Sequence, residues 1–328
     1  MSVQRPSEDS LIARFFAPIA GEGALGLKDD AAHLTPKPGH DLVLTTDALV
    51  ERVHFLPDDA PGSIARKALG MNVSDLAAKG ADPAGFLLSL ALPDGWTEDW
   101  LADFAAGLGE ASRDFACPLL GGDTVKARGP LTLSVTAVGQ VPTGRMVLRT
   151  TAQVGDLICV TGTIGDGALG LKLRSAPPWS DGLSPDEKAH LADRYLHPQP
   201  RYQLAAALRD HASAAMDVSD GLAGDLAKMM RASGVSALVE ADKVPLSSAI
   251  AKAVRTSPDL MDLALTGGDD YEILCTVPEK TLDSFRQEAD RVGILLSVIG
   301  RVVSGHDRPV FRINGLERRY DVGSYQHF

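Results

Sequence analysis

The stretch AMDVSDGLAGDLAKMM, residues 215–230, places Asp217, Asp220 and Asp225 inside an otherwise apolar run. AAMDV (214–218) reads as a strand and GLAGDLAKMMRAS (221–233) as an amphipathic helix, so the acids sit where one turns into the other. A single aspartate there is explained by helix capping: its side chain accepts from free backbone N–H groups and its charge suits the helix dipole. Capping does not explain repetition. Similar acidic punctuation recurs at KDDAAHL (28–34), LTTDALV (44–50), NVSDLAAKGADP (72–83), LLGGDTV (119–125) and LTGGDDYEI (265–273). Six such junctions ask for a common cause.

On either side of this stretch, strand and helix patterns are mixed. DLVLTTDALV reads as a strand, GSIARKALGMNVSDLAAKGA as a helix with Gly80 near its end, and FLLSLALP as a short strand stopped by Pro93. TEDWLADFAAGLGEASRDFA is an amphipathic helix with Thr97 as its cap, and PLTLSVTAVGQVP alternates as a strand. A second round begins near TTAQVGDLICVTG (150–162). It offers the strand LICVTG, the helix GALGLKLR and a polar, Pro-rich excursion around residues 175–185. The helix PRYQLAAALRDH and the opening stretch follow, then YEILCTVP, a helix over 279–292, ILLSVIG and a strand near PVFRI. This pattern predicts α+β architecture with mixed sheets, in two domains over 1–150 and 151–328.

A chain of 328 residues, 45% hydrophobic and 23% charged, can bury a sizeable core. Its net charge of −11 with no basic cluster argues against nucleic acid, whose phosphates need basic side chains. Cys117, Cys159 and Cys275 lie far apart with no metal or disulfide spacing, and read as buried apolar residues. The N-terminal MSVQRPSEDSLIARFF lacks the apolar core of a signal peptide, and no run approaches a membrane span. The expected location is cytoplasmic, without membrane contact.

Clustered carboxylates repel one another unless a cation holds them together. With few local Lys or Arg residues, a divalent ion is the economical cation, and all-oxygen donors select a hard one such as Mg²⁺. That ion uses a few carboxylates and substrate phosphates. A carboxylate about 4 Å from a phosphate oxygen is repelled by roughly 4 kcal/mol at an effective dielectric of 20, and an interposed Mg²⁺ reverses the sign. Gly-Gly before Asp123 and before Asp269 lets backbone approach a ligand closely. No G-x-x-x-x-G-K-[ST] loop exists; GEGALGLK (21–28) and GDGALGLK (165–172) read as turns or helix starts. Asp75 precedes Asp123 by 48 positions and Asp220 precedes Asp269 by 49, a spacing that either an old duplication or coincidence would leave.

The blocks DDAA, TTDALVERVHF, KALGMNVSDLAAKGADP, GGDT, MDVSDGLAGDL, LTGGDDYE and the terminal SYQHF resemble the thiamine-monophosphate kinase family of the aminoimidazole ribonucleotide synthetase-like superfamily. The similarity runs in order from about residue 10 to the end. It implies a two-domain homodimer that transfers the ATP γ-phosphoryl group to thiamine monophosphate, giving ADP and thiamine diphosphate. The first domain would bind Mg²⁺ and ATP and dimerise; the second would complete the phosphate and substrate site. By the resemblance, Asp30, Thr45, Thr46, Asp47, Asp75, Asp123, Asp217 and Asp220 hold several Mg²⁺ ions. Gly122, Asp123, Arg149 and Ser219 contact ATP, and His54, Asp269 and Tyr325 contact the substrate. Asp47, Asp75, Asp220 and Arg149 carry catalysis. Asp225 is read as a solvated or supporting residue.

The chain departs from the family pattern at Lys28 (commonly Gly), Asp269 (often Glu), Ala105 (where a nucleotide-contacting Tyr is common) and Ser324 (usually Gly). Two alternatives stay open at this level: another ATP-using enzyme of the superfamily, or a non-catalytic Mg²⁺-nucleotide-binding regulator. A selenophosphate synthetase would need a reactive Cys near the N-terminus, and the hydrogenase-maturation relative a C-terminal Cys; neither residue is present.

Overall fold

The computed structural model describes residues 6–321. Ser324 and Tyr325, assigned above to the last motif, lie outside the described residues. Two compact units emerge. One holds the chain up to Leu76 with Asp82–Gly144; the other holds Ala77–Ala81 with the chain from Arg145 onward.

The first unit contains α1 (Glu8–Leu11), β1 (His40–Val50), α2 (Pro61–Ala78), β2 (Asp82–Leu92), α3 (Glu98–Asp114), β3 (Leu119–Lys126) and β4 (Thr132–Pro142). Among the described residues its sheet has the order β1-β4-β2-β3, antiparallel except for the parallel β2–β3 pair. Strand alternation gives this sheet two different faces. Val43, Leu49, Leu88, Leu133 and Val135 are buried, whereas Leu42, Leu44, Leu87 and Val125 stand exposed, Leu44 at 66%. Thr97 caps α3 by accepting the Trp100 N–H, as its sequence position predicts. The helices α2 and α3 meet backbone to backbone: a Cβ on Gly107 would lie 2.3 Å from Gly62 Cα.

The second unit contains β5 (Leu157–Thr161), α4 (Asp166–Leu173), α5 (Pro185–Leu196), α6 (Ala205–His211), β6 (Ala214–Asp217), α7 (Leu222–Ser233), β7 (Ser236–Glu240), α8 (Ser248–Thr256), α9 (Leu260–Thr266), β8 (Ile273–Val277), α10 (Leu282–Arg291), β9 (Leu296–Val303), β10 (Val310–Ile313) and β11 (Leu316–Arg318). Its sheet has the order β11-β10-β7-β9-β5-β8-β6 among the described residues. The residues of β5, β6 and β8 are buried throughout, which is why they read as continuous apolar runs rather than alternating ones. Ile158 and Val160 pack with α7 on one face; Leu157 and Cys159 pack with α6 and α10 on the other. Cys117, Cys159 and Cys275 are buried free thiols. Burial pushes the Cys117 thiol up to about 12, far from a nucleophile's range.

Six described elements escape the sequence reading: β3, α5, β7, α8, α9 and β11. The inward side of α5 is Leu191, Arg194 and Tyr195, so a charged residue occupies a core position and breaks the apolar stripe. Its start carries a capping box, Ser184 with Glu187, and Pro185 at the first position, a signal the sequence did offer. After α1 the chain stays helical but changes pitch, with a π turn over Ile12–Phe16 and a 3-10 turn over Ala17–Ile19, where Pro18 has no N–H to continue the ladder. GEGALGLK forms tight turns with Leu25 and Gly26 in left-handed conformation, and GDGALGLK starts α4.

Alanine in a helix interior is ordinarily about 1 kcal/mol better than glycine. At Gly107 the facing backbone reverses that sign, and Gly107→Ala is expected to lower stability by about 1–3 kcal/mol. The urea midpoint of the variant against the parent measures it.

Candidate active site

In the first unit, β1 turns Thr45 and Asp47 toward α2. Thr45 Oγ1 donates to Asp75 Oδ2 at 2.5 Å, and the Asp47 N–H donates to Asn72 Oδ1 at 3.2 Å. Asn72 and Asp75 are one helical turn apart on the same face, and Asn72 is itself fixed by donating to the Ala68 carbonyl at 3.0 Å. Asp75 therefore sits inside a helix and Asp47 inside a strand, as the patterns of those two segments predict, and neither is at a loop junction. Thr46 points to the opposite sheet face, where its hydroxyl donates to the Val135 carbonyl at 3.1 Å and meets Thr136. Alternation along β1 separates its side chain from those of Thr45 and Asp47. Beyond β1, a tight turn returns His54 to the strand, and the Val50 N–H donates to His54 Nδ1 at 3.0 Å. A ring nitrogen that accepts carries no proton, so the neutral imidazole holds its hydrogen on Nε2.

A cavity of about 690 Å³ opens in the same unit, lined on its polar side by Asp29, Asp30, Gly122 and Asp123 and on its apolar side by residues including Ile12 and Phe16. Gly122 and Asp123 belong to β3, not to a loop. A Cβ on Gly122 would lie 1.8 Å from the Leu88 carbonyl oxygen, so the neighbouring strand demands the glycine. Ala105 is buried within α3 and does not line this cavity. Lys28 and Asp30 are both exposed.

In the second unit, the segment after β6 is stitched to the segment before β8. The Val218 N–H donates to the Glu272 carbonyl at 2.8 Å, Tyr271 N–H to Val218 at 2.8 Å, and Asp269 N–H to Ser219 at 2.9 Å. Gly268 and Gly221 allow this: a Cβ on Gly268 would fall 2.3 Å from the Ser219 oxygen, and one on Gly221 2.6 Å from the Thr266 backbone. The close approach that GGDD permits is thus to the loop that follows β6 in the same unit. Asp269 and Tyr271 take positive φ of 71° and 51°, and the Tyr271 hydroxyl donates to Asp269 Oδ1 at 3.1 Å. GGDT is a strand while GGDD is a left-handed loop, so the 48/49 echo does not extend to local structure.

Charges in this loop are heavily compensated. Glu272, 0% exposed, accepts from Thr161 at 2.7 Å, Arg194 at 2.8 Å and Arg201 Nε at 2.7 Å. Asp270 accepts the Gly165 and Gly167 N–H groups at 2.8 and 3.2 Å; burial nevertheless pushes its carboxyl well above the usual range. Asp225, also 0% exposed, accepts the Ser219 and Asp220 N–H groups, and burial raises its pKa as well. Lys228 Nζ reaches Asp220 at 2.5 Å and Asp225 at 2.9 Å. Burial alone would lower the Lys228 pKa; hydrogen bonds and charge from these two carboxylates hold it above the ordinary value. Lys228 was missed in the sequence, although its i,i+3 spacing from Asp225 was legible. Asp225 proves to be a supporting residue and not a solvated one. Arg149 is exposed, its carbonyl accepting from Ser233 Oγ at 3.1 Å.

Hard oxygens dominate the donor set: Asp47, Asp75 and Thr45 in one cluster, Asp30 and Asp123 at the cavity, the buried Asp217 at the end of β6 and Asp220 in the loop that follows. The loop already attracts a positive centre, Lys228, onto Asp220. This chemistry fits Mg²⁺. Among the described residues no three acidic or imidazole groups converge into a closed metal cage.

Two family models match this chain: the N-terminal domain of AIR synthase related protein over residues 28–141, and its C-terminal domain over residues 153–311. The chain belongs to the AIR synthase related proteins. Within them it falls among the thiamine-monophosphate kinases: that of Caulobacter vibrioides is 42% identical over 305 residues, 92% of this chain and 85% of that protein. The crystal structure of thiamine-monophosphate kinase from Stenotrophomonas maltophilia K279a superposes with a TM-score of 0.82 at 39% identity, covering 92% of this chain and 94% of that one. AaThiL complexed with AMPPCP and TMP superposes with a TM-score of 0.78 at 29% identity, covering 98% and 94%.

Glu272→Gln leaves two guanidinium groups in the interior without their counter-charge. Breaking a buried pair in this way costs about 3–5 kcal/mol, so the variant is expected to unfold at clearly lower urea concentration than the parent.

Proposed function

We propose that this chain catalyses ATP + thiamine monophosphate → ADP + thiamine diphosphate, in thiamine diphosphate biosynthesis. The observation that carries the reading is the likeness, over 98% of the chain, to a relative complexed with AMPPCP and TMP. An acceptor phosphate oxygen of thiamine monophosphate attacks the γ-phosphorus of ATP. Its lone pair forms the new P–O bond, the bond to the bridging oxygen breaks, and that electron pair leaves with ADP. The attacking oxygen is already anionic near neutral pH, so no strong general base is needed. Catalysis is then positioning and charge stabilisation.

Magnesium, when bound, supplies the positive charge that lets carboxylates and phosphates share a site. Asp30, Thr45, Asp47, Asp75 and Asp123 of the first unit would hold it, with Asp217 and Asp220 of the second. Thr46 turns its hydroxyl away from the Thr45–Asp75 cluster and has its main chain to contribute there. We assign Gly122, Asp123, Arg149 and Ser219 to ATP; the cavity beside Asp30 and Asp123 suits the nucleotide, with Ile12 and Phe16 as an apolar wall. We assign His54, whose Nδ1 accepts the Val50 N–H, Asp269 and Tyr325 to thiamine monophosphate. These roles imply that the first unit binds metal and nucleotide and the second completes the phosphate and substrate contacts.

The exposed apolar face of the first unit's sheet supports a homodimer, because a surface carrying Leu42, Leu44, Leu87 and Val125 gains by being covered. An ATP-consuming enzyme of this kind works in the cytoplasm. Among the described residues no helix is long and apolar enough to cross a membrane.

With ATP, Mg²⁺ and thiamine monophosphate, chromatography is expected to show ADP and thiamine diphosphate in equal amounts, both abolished by a chelator. ATP loss without thiamine diphosphate would point to another acceptor. Asp47→Asn, Asp75→Asn and Asp220→Asn should each lower kcat by on the order of 10²–10³-fold with unchanged circular dichroism; near-normal turnover would remove the metal assignment. Leu44→Asp should shift the sedimentation coefficient from dimer toward monomer.

A further inference from the structure

Asp225 is the fixed point of the loop before α7. Its Oδ2 accepts the Ser219 and Asp220 N–H groups at 3.1 and 3.0 Å, and its Oδ1 accepts Lys228 Nζ at 2.9 Å. Lys228 comes from the same helix one turn later, so α7 itself sets the Asp225–Lys228 distance. The ammonium also reaches the Oδ2 of Asp220 at 2.5 Å. The two carboxylates differ: Asp225 is wholly buried, whereas the Asp220 side chain is 38% exposed and Lys228 31%. A solvent-facing acid is therefore held by a cation whose other anchor is immovable.

We propose that Lys228 is a positioning residue that occupies Asp220 in the metal-free protein and competes with the divalent ion for it. The inference rests on the reading of Asp220 as a magnesium ligand. Asp220 is the more exposed partner and can exchange an ammonium for a metal. Lys228 is not stranded by that exchange, because Asp225 keeps it paired. The ammonium then stays beside the loop as a fixed positive charge. Two consequences follow from charge alone. Lys228 keeps the acidic loop assembled without metal, and it weakens magnesium binding by repelling the incoming ion.

The test is magnesium affinity, read from the thermal unfolding midpoint of the full chain as magnesium chloride is titrated at one fixed ADP concentration. Lys228→Met is expected to bind magnesium about tenfold more tightly, which is about 1.4 kcal/mol, and to melt lower than the parent without metal. Lys228→Gln, which keeps a donor for Asp225 but no charge, should tighten binding likewise, and covers the case of a methionine variant that fails to fold. Lys228→Arg, which keeps the charge, should titrate like the parent. In an Asp220→Asn background the tightening should shrink, because the competition for Asp220 is gone and only the repulsion by the ammonium remains. Unchanged or weaker magnesium binding in Lys228→Met and Lys228→Gln, with Asp220→Asn still weakening it, would overturn this inference alone. Magnesium binding unaffected by Asp220→Asn would overturn the ligand reading and the inference together.

Discussion

The second unit depends on three backbone hydrogen bonds that tie Val218 and Ser219 to the segment from Asp269 to Glu272. They continue the β6–β8 pairing past the end of both strands, where the register runs Asp217 against Ile273. Regular strands cannot do this while turning away from each other, so the chain uses glycines at Gly221 and Gly268 and left-handed residues at Asp269 and Tyr271. Left-handed conformation in non-glycine residues is costly and persists only where surrounding contacts over-determine it. Those contacts are the buried Glu272 with its two arginines and the buried Asp270 at the start of α4.

The result is a rigid platform on which acids alternate in direction. Asp270 and Glu272 are buried and satisfied by backbone and guanidinium donors, and Asp217, the last residue of β6, is buried as well; Asp220 and Asp269 lie on the loops assigned to metal and substrate. The inward acids hold the outward ones in place. Such a frame suits phosphoryl transfer in the thiamine-monophosphate kinase family, where the protein supplies little covalent chemistry and much geometry. The first unit reaches a comparable end differently: Asp47 and Asp75 are presented by regular elements, a strand and a helix, that face each other across one hydroxyl and one amide.

Much of this was legible in the sequence. The clustered aspartates, the long strands and helices around them, the Thr97 cap and the two-unit α+β organisation could be read from pattern and turn chemistry. Other features were not. The Arg194 at a core position hid α5, because a paired buried charge looks like a solvent face. The Gly-Gly pairs signalled close approach, but not that the neighbour is another strand in one case and a loop in the other.

The sequence by itself determined the family and supplied the oxygen-donor chemistry and the candidate residues proposed for the site, since these depend on residue type and local spacing. Only the tertiary structure decided which way each side chain points. It set Thr46 on the far side of β1 from Asp47, buried Asp225, and brought Lys228 onto Asp220. Strand alternation, the helical turn and long-range backbone pairing determine those directions. Charge compensation is therefore decided by which groups meet in space and not by which are neighbours in the chain.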